Sequence, residues 1–284
     1  MIADVAKPSR RAVPVKIVVL VLVAIPWIGI PLWALIVNSL KPLSEATSLS
    51  LSLPQHWAAA SNYHTVLTQW GLSGALTNSL VVVIPTLLVV LFFGSMAAWA
   101  FARSRSISMK VAYNLAVLSI LLPPAVLPTI YILQKLHLDG SLAGYFLVMS
   151  GTRLGVVIFL ATGFIRALPT DLEEAASLDG ASRFQIYRRI IMPLLLPVLL
   201  VGSVILIITV WNEFFLAIFL LQGNTATLPL ALFQHASGSS TVAGAYEWNL
   251  VFADVVLTSL PIMVVYIFAQ RRIVSGLTEG GLKG

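Results

Sequence analysis

Cysteine is absent from the 284 residues, so the chain can build neither a disulfide framework nor a thiolate-ligated metal site. Charge is scarce as well. Only 10% of the residues are Asp, Glu, Lys or Arg, against about 25% in a soluble globular domain. That leaves too little polar surface to cover a water-soluble body. No G-x-x-x-x-G-K-[ST] run is present to cradle phosphates, and no G-x-S-x-G elbow presents a serine nucleophile. Nothing in the chain therefore reads as an enzyme. His56, His64, His137 and His235 lack metal-ligand spacing and read as loop or interfacial residues. What remains is apolar: 58% of residues are hydrophobic, with a mean hydropathy of +0.95.

A membrane-spanning helix needs about 20 mostly apolar residues. Six stretches qualify, at 17–37, 75–101, 111–133, 142–165, 194–221 and 249–269. The fourth is interrupted by Arg153. Pro26, Pro31, Pro85, Pro128 and Pro261 fall inside these stretches, where neighbouring helices satisfy the freed carbonyls. The first stretch reads as a retained helix, since it is longer than a signal-peptide core and no small-residue cleavage site follows. The net charge of +6 alone would suit nucleic acid or acidic lipid. In a membrane protein its placement matters more than its total: 14 of the 17 basic residues lie before the first span, between alternate spans, or after the last. Short loops rich in Lys and Arg stay cytoplasmic. The expected organisation is all-α, with a cytoplasmic segment at 1–16, a six-helix membrane domain at 17–269 and a cytoplasmic tail at 270–284.

Two outer loops, at 41–74 and 222–248, are long enough either to be solvated connectors or to dock an external partner. The cytoplasmic loop at 166–193 is more informative. Thr170 and Glu173 have capping-box spacing and predict a helix starting at Asp171. Gly180 suits the left-handed residue that ends it. Ser182 and Gln185 repeat the capping-box spacing and predict a second helix that carries Ile186 and Ile190 into the fifth span. The first helix sets Leu172, Ala175 and Ala176 among the carboxylates of Asp171, Glu174 and Asp179. An amphipathic helix lying on a membrane would instead carry Lys/Arg and bulky apolar residues. This element is either a docking knob for a protein partner or an ordinary packed loop.

Three ionisable residues fall within spans: Arg153, Glu213 and Asp254. Isolated charges in hydrocarbon cost at least about 2.5–3.5 kcal/mol, so such residues face a bundle interior. They form structural pairs or water-exposed span ends, or they line a pathway and bond solute hydroxyls. Trp99, Tyr131 and Trp211 are open to a similar choice, between interfacial packing and stacking on solute rings.

The loop carries a longer pattern. Glu174-Ala175-Ala176, Gly180, Ile190, Met192 and Pro193 resemble the EAA loop of permease subunits from binding-protein-dependent ABC importers: E-A-A, three residues, G, nine residues, I-x-L-P. Only Met192, in place of Leu, departs from it. Asn38-Ser39-Leu40-Lys41-Pro42, Leu76-Thr77-Asn78-Ser79-Leu80, Trp211-Asn212-Glu213-Phe214 and the run from Gln270 to Thr278 are similar to maltose-type sugar permeases. The resemblance implies the six-helix fold of a type I importer permease in the bacterial inner membrane. It also implies a second permease subunit, two ATP-binding subunits, an extracytoplasmic solute-binding protein and a sugar-like solute, with no cofactor. Glu174, Ala175, Ala176, Asp179, Gly180, Ile190, Met192 and Pro193 would then form the coupling element. Arg153, Trp211, Asn212, Glu213 and Asp254 would be candidates for the pathway. Two alternatives stay open: the same architecture importing another solute such as glycerol phosphate, and a secondary transporter driven by an ion gradient. The internal repeats expected of the latter are not evident.

Overall fold

The computed structural model describes Val18, residues 21–238 and residues 246–281, the last with side chains to 268. In chain order the helices are α1 (Val21–Ser39), α2 (Leu43–Ala46), α3 (Ala59–Gln69), α4 (Leu72–Arg103), α5 (Ile107–Leu121), α6 (Val126–Lys135) and α7 (Leu142–Ala167). They continue with α8 (Asp171–Leu178), α9 (Arg183–Trp211), α10 (Phe215–Leu220), α11 (Leu228–Gly238) and α12 (Trp248–Gly281). Among the described residues no strand forms, and one isolated bridge joins Gly140 to Leu221. The helical backbone of α12 runs without a break through 269–270, where a span and a tail are expected to meet.

Prolines shape the long helices. In α1 a five-residue π turn, Ile25–Gly29, is followed by Pro31; in α9 a second, Tyr187–Ile191, is followed by Pro193. A proline ring clashes with the carbonyl four residues earlier. Here those carbonyls belong to Trp27 and Arg189, each in the middle of its π turn. The widened turn keeps the helix continuous past the clash.

The third span departs from expectation. Instead of one helix at 111–133, α5 and α6 meet at a 112° bend. Pro123 and Pro124 remove two consecutive N–H donors, and Leu122, ahead of them, is extended at φ −84°, ψ 130°. The fifth span also differs. Its helix begins at Arg183 and ends at Trp211, so 212–221 is not its continuation. The outer loops are more ordered than connectors: α2 and α3 lie in the first, and α11 in the second.

The chain forms two compact bodies. The first takes the described residues of Met1–Gly71 and Gln234–Thr258, the second those of Leu72–Phe233 and Ser259–Gly284. A polar knot holds the first together. Asn62 donates to the Ser39 and Lys41 carbonyls at 2.9 and 2.8 Å, and Asn249 donates to Asn62 Oδ1 at 2.8 Å. The buried Lys41 ammonium donates to Ser50 O, Ser50 Oγ and Asn38 Oδ1 within 3.1 Å. The Asn-Ser-Leu-Lys-Pro run is thus the local frame of this body.

In the second body α4 and α7 form the central pair, with α5 against α7 and α9 against both α4 and α7. Val90, Ala98, Val157, Ala161, Ile165, Ile191, Leu195 and Leu206 are buried between them. Glycines permit the close approaches: a Cβ on Gly94 would stand 3.0 Å from Val157, and one on Gly155 would strike the Ala116 carbonyl. Small residues at contacts are how helices associate in lipid, where burial supplies little driving force.

Candidate coupling site and buried charge pairs

The loop after α7 folds into a rigid turn. Helix α8 starts at Asp171 as expected, but Thr170 caps no amide and its backbone is helical. The Thr170/Glu173 capping box does not form because Glu173 is engaged elsewhere. Its carboxylate accepts from Trp99 Nε1 at 2.8 Å and from Arg103 Nε at 2.9 Å, with Arg103 Nη2 2.7 Å away. Arg103 Nη2 also donates to the Leu168 carbonyl. Two residues at the end of α4 therefore clamp the first turn of α8, and charge-assisted bonds of this kind are among the stronger ones.

The far end of α8 is equally defined. Gly180 has φ +81°, Gly180 N donates to Ser177 O, and Ala181 N donates to Ala176 O. This is the Schellman closure, with Ala176 and Ala181 the apolar pair that accompanies it. The Ser182/Gln185 capping box forms as expected, with both reciprocal bonds present. Tyr187 then anchors the start of α9 by bonding Ser95 Oγ at 2.8 Å beneath Trp99.

The sequence-predicted residues divide between two surfaces. Ala176, Ile190 and Met192 pack against the core of their own body. Glu174, Ala175, Asp179 and Gly180 are exposed, as is Pro193 beyond the turn. Three large apolar side chains join the outward surface: Leu178 is 89% exposed, Phe184 55% and Leu172 54%. Exposed apolar clusters rimmed by charge mark interaction sites.

Among the charges within spans, Arg153 Nη2 donates to Glu213 Oε2 at 2.8 Å, with both side chains about four-fifths buried. Glu213 Oε1 accepts from the Leu216 amide at 3.1 Å, and Tyr145 Oη donates to the Glu213 carbonyl. Glu213 thus holds the first turn of α10, just after the fifth-span helix ends at Trp211. Arg153 Nε, shielded from solvent, finds no acceptor among the described residues. Asp254 is fully buried and pairs differently, with His235 Nδ1 at 3.0 Å and Thr258 Oγ1 at 3.1 Å. Trp70 lies against the His235 ring.

Two of the three aromatic candidates are occupied by structure. Trp211 is buried, and Trp99 serves the α8 clamp through Nε1 with its ring against Tyr187. Tyr131 is exposed beside Lys135. Asn212 turns its amide back onto the Ile208 carbonyl.

Residues 90–279, more than half of the chain, match the family described as "Binding-protein-dependent transport system inner membrane component". The chain belongs to this family. The permease is 32% identical over 267 residues to the "Probable starch degradation products transport system permease protein AmyC" of Thermoanaerobacterium thermosulfurigenes, covering 93% of this chain and 94% of that one. It is 28% identical to the "Diacetylchitobiose uptake system permease protein NgcG" of Streptomyces coelicolor, covering 97% and 90%. Its fold is that of a chain in the crystal structure of a bacterial ABC transporter involved in the import of the acidic polysaccharide alginate. That match has a TM-score of 0.79 at 20% identity, over 95% of this chain and 99% of the other. The permease is therefore a multi-pass inner-membrane component of a binding-protein-dependent ABC importer.

Sequence reasoning missed the roles of Glu173 and His235 and did not single out Leu178 or Phe184. Glu173 carries no unusual neighbour in sequence, and its partners lie about 70 residues earlier, at Trp99 and Arg103. Leu178, two residues on from the inward-packed Ala176, stands about 200° around the helix and so faces away from the core.

Proposed function

We propose that this permease forms half of the pathway of an ATP-driven saccharide importer, and that α8 transmits the work of a separate ATP-binding subunit. One observation carries the reading: α8 is clamped to its own bundle at Glu173 while it exposes Leu172, Ala175 and Leu178. A rigid knob of this kind passes a push to α4 and α9 without dissipating it in loop motion. Glu174 and Asp179, exposed at its rim, supply polar contacts, and Gly180 supplies the turn.

The distribution of basic residues favours this knob and both termini on the cytoplasmic side, where an ATPase resides. The relatives named for starch degradation products and for diacetylchitobiose favour a saccharide as solute. A second permease subunit completes the pathway, two ATP-binding subunits sit beneath α8 and its counterpart, and an extracytoplasmic binding protein delivers the solute. Arg153 and Glu213 are the pathway candidates, with the exposed Asn212 next to Glu213 in the chain, whereas Trp211 is buried and Asp254 is tied to His235 and Thr258.

Reconstitution tests the reading. Uptake into proteoliposomes bearing the complete importer should require ATP and the ATP-binding subunits, and should survive ionophores that collapse ion gradients. Uptake driven by an ion gradient without those subunits would establish the secondary-transporter alternative instead.

A further inference from the structure

Beside the bend between α5 and α6 lies a half-open cavity of about 640 Å³, within the range of small-molecule sites. Its walls are of two kinds. Leu121, Pro123, Pro124 and Val156 are apolar, and the polar part comes from Arg153 and the hydroxyls of Ser119, Thr152 and Thr209.

Each hydroxyl proton is already committed. Ser119 donates to the Ala116 carbonyl at 2.7 Å, Thr152 to Val148 at 2.9 Å and Thr209 to Leu206 at 3.2 Å. These side chains therefore meet a ligand as acceptors. Arg153 is the opposite. A guanidinium has five N–H donors; Nη2 bonds Glu213, Nε is shielded from solvent, and Nη1 takes no partner among the described residues, which leaves the Nη edge to meet a ligand. The cavity thus combines acceptors with a donor fork.

Its charge is balanced, because the one charged residue in its lining is paired with a carboxylate at 2.8 Å. A carboxylate ligand would find a neutralised arginine and three acceptors that repel it. A hydroxyl both donates and accepts, and so satisfies both kinds of group. The C–H faces of a sugar ring suit the proline and aliphatic walls. We propose that this cavity is a solute subsite selective for neutral, hydroxyl-rich saccharides over acidic ones, with the Arg153 fork as its donor. The proposal rests on the saccharide-importer reading and adds to it the charge class of the solute.

Saturation-transfer NMR on the permease and ATP-binding subunits in nanodiscs, without the solute-binding protein, tests this directly with maltotriose and trigalacturonate as probes. The wild-type complex should transfer at least threefold more strongly to maltotriose. Arg153→Lys keeps a cation for Glu213 but removes the fork, and should lower that transfer about tenfold. Thr209→Val, which removes one acceptor from an exposed position, should lower it about threefold and guards against misfolding of the lysine variant. Equal or stronger transfer to trigalacturonate, no transfer to either probe, or unchanged transfer in both variants would overturn the subsite. Failure of the underlying reading looks different, since ATP-dependent uptake of neutral and acidic oligosaccharides alike would then be missing from the importer with its binding protein restored.

Discussion

Glu173 accepts from an indole and a guanidinium that arrive from the end of α4, and both are largely shielded from water. Removing one partner of a shielded pair leaves the other charge unpaired, at about 3–5 kcal/mol in buried cases and less here, where both retain some exposure. Glu173→Ala should therefore loosen α8 while the spans still insert, and ATP-driven uptake should fall at least tenfold in proteoliposomes. Wild-type uptake would remove the clamp from the account. Glu45 makes a second local prediction. Its carboxyl is held below the ordinary carboxylate range, chiefly by the Gln55 amide, against partial desolvation and with help from the His56 ring and amide. A lowered folded-state value means the contact stabilises above the ordinary carboxylate range and is lost as pH falls through the lowered value. At neutral pH, Glu45→Gln should speed hydrogen exchange at the Gln55 and His56 amides and leave α4 unaffected.

At the scale of the element, local chemistry explains what sequence could foretell. Gly180 is a left-handed cap, and the Ser182/Gln185 box forms, because both depend on residues within four positions. The Thr170/Glu173 box fails because two donors about 70 residues away compete for the same carboxylate. The third span breaks for a local reason, two adjacent prolines, although hydropathy alone runs straight across them. Nothing lies within 4 Å of a Cβ built on Gly180, so Ala there meets only backbone strain of about 1–2 kcal/mol. Gly180→Asn should be milder than Gly180→Ala, read as uptake. Gly180→Pro fixes φ on the other side and deletes the bond to Ser177, and should leave ATP hydrolysis running without uptake. Gly155→Ala would press on the Ala116 carbonyl and on Ser119 Oγ, 2.7 Å away. Overpacking of that kind costs about 1–3 kcal/mol and should lower the unfolding temperature of the purified complex.

For the whole molecule, the apolar spans and the asymmetry of basic residues were legible without any structure, because bilayer thickness and charge placement act on composition. The site was legible in part. The Glu-Ala-Ala to Pro pattern located the knob, but not which face it turns outward, since that follows from the clamp at Glu173 and the packing of Ala176 and Ala181 on the core. The pairing of Arg153 with Glu213, and of Asp254 with His235, was beyond sequence because each joins positions far apart in the chain. In the proposed coupling, the outward face of α8 receives force from an ATP-binding subunit. Leu178, 89% exposed, is the residue on that face whose replacement least disturbs the permease itself. The decisive measurement is ATP-driven uptake by the complete importer carrying Leu178→Glu, with co-purification of the ATP-binding subunit followed alongside. Uptake should fall at least tenfold with weakened co-purification; wild-type uptake with the subunit fully retained would rule out this face of α8 as the seat of the ATP-binding subunit.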